Sequence, residues 1–317
     1  MSELMLSRVA NSIYWMSRYL ERADSIARFI DVNLKLILDI ALDRENVQWQ
    51  PLVLASGDEA DFFKRYKTLD QKRVVHFLTF DNLNPNSILS CILNARENAR
   101  TVREIIPTEL WETINELYHF IQKYSKKRQK DNLLPLYAQI KASNNVACGL
   151  VANAMLRDQA LHFLRLGQMI ERADKTARLL DVKYFHLLPS PEYVDSPYDA
   201  VEWGAVLRSV SAFQMYRKKY HQVNYRDVSE FLIFDSFFPR SINYCVNQAL
   251  SSLGAITEMT GVDMGAKYEM AKLQQMLLLT NVDKVLAEGL HEFIDVFQFN
   301  LNIVDQVIYR SFFELKE

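Results

Sequence analysis

The stretch Arg18-Tyr19-Leu20-Glu21-Arg22-Ala23-Asp24-Ser25-Ile26-Ala27-Arg28-Phe29-Ile30-Asp31-Val32 returns later as Glu171-Arg172-Ala173-Asp174-Lys175-Thr176-Ala177-Arg178-Leu179-Leu180-Asp181-Val182. Both carry Glu-Arg-Ala-Asp, then Ala-Arg, then Asp-Val, 150 residues apart. A second pair follows in the same order: Phe77-Leu78-Thr79-Phe80-Asp81, with Pro85, Ser87, Ile88 and Cys91, returns 154 residues on as Phe231-Leu232-Ile233-Phe234-Asp235, with Pro239, Ser241, Ile242 and Cys245. Two motifs in one order at nearly one offset predict an internal duplication, with a first half over 1–157 and a second over 158–317 sharing one continuous core.

Around the first motif, Leu6, Val9, Ile13, Met16, Leu20, Ala23, Ala27, Ile30 and Leu34 recur at helical spacing, which predicts a long amphipathic helix from Leu4 to about Leu42. Eight glycines and eight prolines in 317 residues leave little material for tight turns, so the fold class is all-α, a bundle of long helices. Trp49-Gln50-Pro51 and Ser56-Gly57-Asp58 read as a connection before a helix near Glu59 to Leu69. Ser87 and Ser241, each after a proline and before an apolar run, are expected N-caps. Further helices are expected over 134–156, 206–220, 225–234, 242–260, 266–279 and 282–313, with a turn-rich connection at Leu188-Pro189-Ser190-Pro191.

With 49% apolar residues and a net charge of −2, the chain buries a large core and lacks the basic excess that phosphate neutralisation requires. The short run Lys126-Lys127-Arg128-Gln129-Lys130 reads as a solvated inter-helix loop, and no nucleic-acid partner is expected. Cys91, Cys148 and Cys245 are odd in number, lack CxxC spacing and sit in apolar patterns without a nearby His, so they read as buried, reduced thiols of a cytoplasmic protein. There is no 18-residue uncharged span, and neither secretion nor membrane insertion is expected. No nucleotide-binding glycine loop, HExxH or GxSxG occurs, so no catalytic residue and no cofactor is assigned.

On a helix, Glu21, Asp24, Arg28 and Asp31 share one narrow face beside the apolar stripe, as do Glu171, Asp174, Arg178 and Asp181. Two readings follow. These charges form a duplicated network that fixes helix packing, or the two copies meet across a pseudo-twofold axis to bind a ligand or partner through Glu21, Arg22, Asp24, Arg28, Glu171, Arg172, Asp174 and Arg178. A metal alternative uses the two Glu-x-x-His segments, Glu116–His119 and Glu288–His291. With Glu21 and Glu171 they reproduce the ligand order of carboxylate-bridged dimetal oxidoreductase bundles.

The chain also resembles the bacterial alpha-E proteins. The resemblance is carried by Met5-Leu6-Ser7-Arg8-Val9-Ala10, Tyr14 through Ala23, Ala95-Arg96-Glu97-Asn98-Ala99-Arg100 with Arg103 and Trp111, Leu166-Gly167 through Val182, Phe238-Pro239-Arg240-Ser241, and His291-Glu292-Phe293. It implies association with an ATP-grasp ligase and a transglutaminase-like peptidase in a system that makes or modifies peptides through amide-bond chemistry. The chain carries no ATP-grasp region itself. The expected role is a non-catalytic accessory or substrate-presenting subunit, with a purely architectural interaction protein as the other alternative.

Overall fold

A computed structural model describes residues 5–39, 49–126, 132–187, 197–262 and 265–314. Lys127 to Lys130 of the basic run and the turn-rich 188–196 connection lie outside these residues. The described residues form helices joined by turns and short loops, without a strand. No described helix is long and apolar enough to cross a membrane.

The first motif lies on α1 (Ser7–Asp39), a long helix as its periodicity predicts and without a break, and the second on α8 (Gln159–Leu187). These two helices pack on each other at the centre of the molecule. Their backbones approach closely at Gly167, where an added Cβ would lie 2.4 Å from the Tyr14 carbonyl oxygen and 2.5 Å from Ser17 Oγ. On one side α1 is covered by α5 (Ile88–Thr101) and α7 (Leu134–Ala154), with α6 (Thr108–Ser125) bridging those two. On the other side α8 is covered by α12 (Ile242–Thr260) and α15 (Leu290–Ile308), bridged by α13 (Ala266–Leu278). The short α2 (Gln50–Ser56), which follows α1, packs on α8, while α9 (Pro197–Ser209), which follows α8, packs on α1. One hydrophobic cluster therefore runs from Ala10 to Phe313. Each fully buried Leu, Ile or Phe in it contributes about 1.5–3 kcal/mol of transfer free energy.

Both expected serine caps are present: Ser87 Oγ accepts from the Ser90 amide (3.2 Å) and Ser241 Oγ from the Tyr244 amide (3.1 Å). Each lies between a short helix that carries the Phe-Leu pair of the second motif, α4 (Gln71–Thr79) or α11 (Tyr225–Phe234), and the helix it caps. Three expectations need correction. The 49–58 segment is not a plain connection, because Pro51 falls in the first turn of α2, where a missing N–H costs nothing, and Gly57 at φ 84° ends it before α3 (Glu59–Arg65). The 206–220 helix is interrupted: α9 ends at Ser209 and Ser211 takes φ 56° before the single turn α10 (Phe213–Tyr216). The 282–313 helix divides at Gly289 (φ 113°) into α14 (Val282–Glu288) and α15, and its last turn, Tyr309–Phe313, widens into a π-helix.

Candidate functional site

Where α1 and α8 cross, the two Glu-Arg pairs meet reciprocally. Arg22 grips Glu171 through Nε to Oε1 (2.6 Å) and Nη2 to Oε2 (2.9 Å). Arg172 grips Glu21 in the same two-pronged way, at 2.9 and 2.8 Å. Glu21 is 1% exposed and Glu171 is fully buried, so the motif faces a packed interface. Two parallel charge-assisted bonds fix orientation as well as distance, so each pair sets the rotation of one helix against the other.

A second cation completes each glutamate. Arg18 Nε reaches Glu171 Oε2 (2.9 Å) and its Nη1 reaches Asp305 on α15 (2.7 Å), with the guanidinium 4.8 Å from the Trp15 ring centroid. Arg240, in the loop before α12, spans Glu21 Oε1 and Asp24 Oδ2, both at 2.8 Å. Gln168 Nε2 makes a longer contact to Glu21 Oε2 (3.4 Å). Loop and helix are tied again where Arg172 Nη1 donates to the Pro239 carbonyl (3.2 Å) and Thr176 Oγ1 to that of Arg240 (3.0 Å). In the equivalent place on α1, Arg22 Nη1 donates to Asn86 (2.5 Å), whose amide donates to Asp58 (2.6 Å).

Sequence reading found the Glu-Arg pairs but missed Arg18, Arg240 and Lys175. The signal was in the repeat itself. At the 150- and 154-residue offsets, Arg18 corresponds to Gln168, Ser25 to Lys175 and Asn86 to Arg240. The two motif-bearing stretches differ at the positions that supply the extra cation, and each glutamate still receives one.

Asp24–Arg28 (2.8 Å) and Asp174–Arg178 (3.0 Å) pair along their own helices, as the i,i+4 spacing predicts. Arg28 Nη1 also reaches Ser211 Oγ (2.6 Å), at the break after α9. Lys175 bridges Asp174 (3.2 Å) and Glu171 (3.8 Å). Asp24 Oδ1 and Asp58 Oδ2 are buried without a hydrogen-bond donor, each costing about 1–3 kcal/mol.

Burial alone raises a carboxyl pKa, but Arg172 and Arg240 outweigh it and bring Glu21 down to about 2 from 4.5. Arg22, Arg18 and Lys175 likewise override burial and hold Glu171 well below the carboxylate range. Both acids are therefore ionised at neutral pH, with every carboxylate oxygen accepting from an arginine, an arrangement suited to locking helices rather than exchanging protons.

The dimetal alternative is corrected by geometry. On α6 the buried face is Leu110, Ile114, Leu117 and Ile121, which leaves Glu116 and His119 exposed. Gly289 separates Glu288 from His291, so their i,i+3 relation is lost, and Glu288 lies exposed near Lys284 (3.9 Å). Among the described residues the six expected ligands do not converge. His291 instead sits between Asp181 (Nδ1, 2.7 Å) and Asp295 (Nε2, 3.4 Å), and the hydrogen bond to Asp181 raises its pKa. Cys91 and Cys245 are buried, their thiols pushed up to about 12 by burial. Cys148 differs from expectation in being only partly buried.

No solved structure matches the chain. An uncharacterised protein of Mycobacterium bovis and one of Mycobacterium tuberculosis are each 22% identical to it over 275 residues, covering 80% of this chain and 30% of their own length. The chain thus spans less than a third of the curated relatives it matches. A sequence profile for a predicted alpha-helical domain with a conserved ER motif matches residues 5–313, which include both crossed Glu-Arg pairs, and the chain belongs to that family, Alpha-E.

Proposed function

We propose that this chain is a non-catalytic accessory or substrate-presenting module of an amide-bond-forming system, in which an ATP-grasp ligase partner supplies the chemistry and a transglutaminase-like peptidase acts on the same peptides. The observation that carries the reading is the state of the family's own motif. Glu21 and Glu171 are sealed between helices, ionised and fully occupied by arginines. That arrangement stabilises a scaffold, and activity then comes from whatever the scaffold engages. The relatives' greater length supports a module that works beside other domains. The resemblance to alpha-E proteins supplies the class of partner.

Affinity purification of the tagged protein from its native host, followed by mass spectrometry, tests this. Recovery of an ATP-grasp ligase or a transglutaminase-like peptidase above an untagged control is the expected result. A chain that is recovered alone at native abundance, after mild crosslinking, overturns the accessory reading in favour of a self-sufficient activity.

A further inference from the structure

Beside the crossed glutamates, between α1, α6, α7 and α8, lies a cavity of ≈170 Å³. Its apolar walls come from Met16 and Leu20 on α1, Leu110 on α6 and Leu164 on α8. Cavities of about 150 Å³ hold a ligand of benzene's size, about six non-hydrogen atoms.

The polar part of the lining distinguishes this space from a packing defect. Asn144 on α7 is 5% exposed, lines the cavity, and its side chain makes no hydrogen bond within the described structure. Arg165 on α8 also lines the cavity, half-buried and with no carboxylate partner among the described residues. It contrasts with Arg172, two turns along the same helix face, which is committed to Glu21. Gln168, between them, is already engaged with Glu21 and with the Cys148 thiol (3.1 Å). The cavity therefore offers one free guanidinium and one free amide against an apolar wall.

We infer that this cavity binds a small monocarboxylate carrying a short apolar chain, the carboxylate on Arg165 and Asn144 and the chain against Met16, Leu20, Leu110 and Leu164. The guanidinium fork matches a carboxylate, and the Asn144 amide donates to an oxygen the guanidinium leaves open. A phosphate has no chain with which to cover the apolar wall, and Arg165 repels an amine. Glu21 does not oppose the anion, because Arg172 and Arg240 already neutralise it. The site is independent of any ligase partner, so it stands or falls separately from the accessory role.

Butyrate, its neutral isostere butanamide and butylammonium are the probes, with binding read by saturation-transfer NMR on the full chain. Butyrate is expected to bind saturably, with half-saturation on the order of 1 mM, which is well inside the ligand-efficiency ceiling for so few atoms. Butanamide is expected to bind at least about 10-fold more weakly, the worth of one charge-assisted hydrogen bond, and butylammonium more weakly still. Arg165→Gln, at a half-buried position, is expected to keep the far-UV spectrum and reduce butyrate to the level of butanamide. Butyrate is also expected to slow alkylation of Cys148 by iodoacetamide in the unaltered protein and not in R165Q. Equal binding of butyrate and butanamide to the unaltered protein, absence of saturable binding, or full butyrate affinity in R165Q overturns the assignment. The first two results need no variant.

Discussion

Replacing Glu171 by Gln keeps the shape of the side chain and removes its charge, which isolates the electrostatic role of the crossed motif. The glutamine carbonyl oxygen still accepts one arginine N–H, but the other carboxylate oxygen becomes an NH2 donor, so Arg22 loses one of its two prongs and keeps Asn86, while Lys175, 7% exposed, keeps Asp174. Arg18 keeps Asp305 at 2.7 Å. Removing one partner of a buried ion pair costs about 3–5 kcal/mol, because the other charge stays desolvated. The remaining Asp305 contact places E171Q towards the lower end, about 3–4 kcal/mol. Unfolding entropy of roughly 2.1 cal/mol/K per residue over 317 residues converts this to a fall in Tm of about 5 °C. Equilibrium urea unfolding, followed by far-UV circular dichroism and tryptophan fluorescence, measures it. Adding Arg22→Met to E171Q is expected to cost less than the sum of the two single changes, since it removes the orphaned charge. An E171Q protein within about 1 kcal/mol of wild type, at unchanged m-value, would refute the view that this network locks α1 to α8.

Acid should weaken the same lock. The folded pKa of Glu21 is depressed to about 2 from an ordinary 4.5, so its contribution, on the order of 3 kcal/mol, is complete above pH about 4.5 and is lost as pH falls towards 2. Urea midpoints measured between pH 6 and 3 should fall less steeply in Glu21→Gln than in wild type, and parallel slopes would contradict the assignment. Gly167→Ala tests the helix crossing: the gain in helix propensity of about 1 kcal/mol opposes a Cβ placed 2.4 Å from the Tyr14 carbonyl oxygen. The clash should win, with a net loss of about 1–3 kcal/mol by urea unfolding, whereas a stabilised variant would show that the helices separate freely. Of the three thiols, only Cys148 should react with iodoacetamide in the native protein, read by peptide mass spectrometry, because Cys91 and Cys245 are buried with thiols pushed up to about 12. Labelling of Cys91 or Cys245 at a comparable rate would mean that their helices open readily.

The 3.6-residue spacing of Leu6 through Leu34, the scarcity of glycine and proline, and the serines before Ile88 and Ile242 sufficed to place the long helices and two of their caps, because these features act within a few residues of chain. Local chemistry also determined Asp24–Arg28 and Asp174–Arg178, where partners one turn apart meet on any helix. Breaks at Ser211 and Gly289 were not legible, since helical periodicity continues across both and packing decides where the chain turns. Nor could sequence spacing say that Glu116 and His119 face solvent, which depends on which stripe of α6 is buried. Only the tertiary structure decided that Arg22 belongs to Glu171 and Arg172 to Glu21, that Arg240 crosses to Glu21 and Asp24, and that Arg165 is left facing a cavity. Those pairings join residues about 150 or more apart, and a buried charge takes the partner that the packing of the two long helices brings within bonding distance of it, whatever lies next to it in the chain.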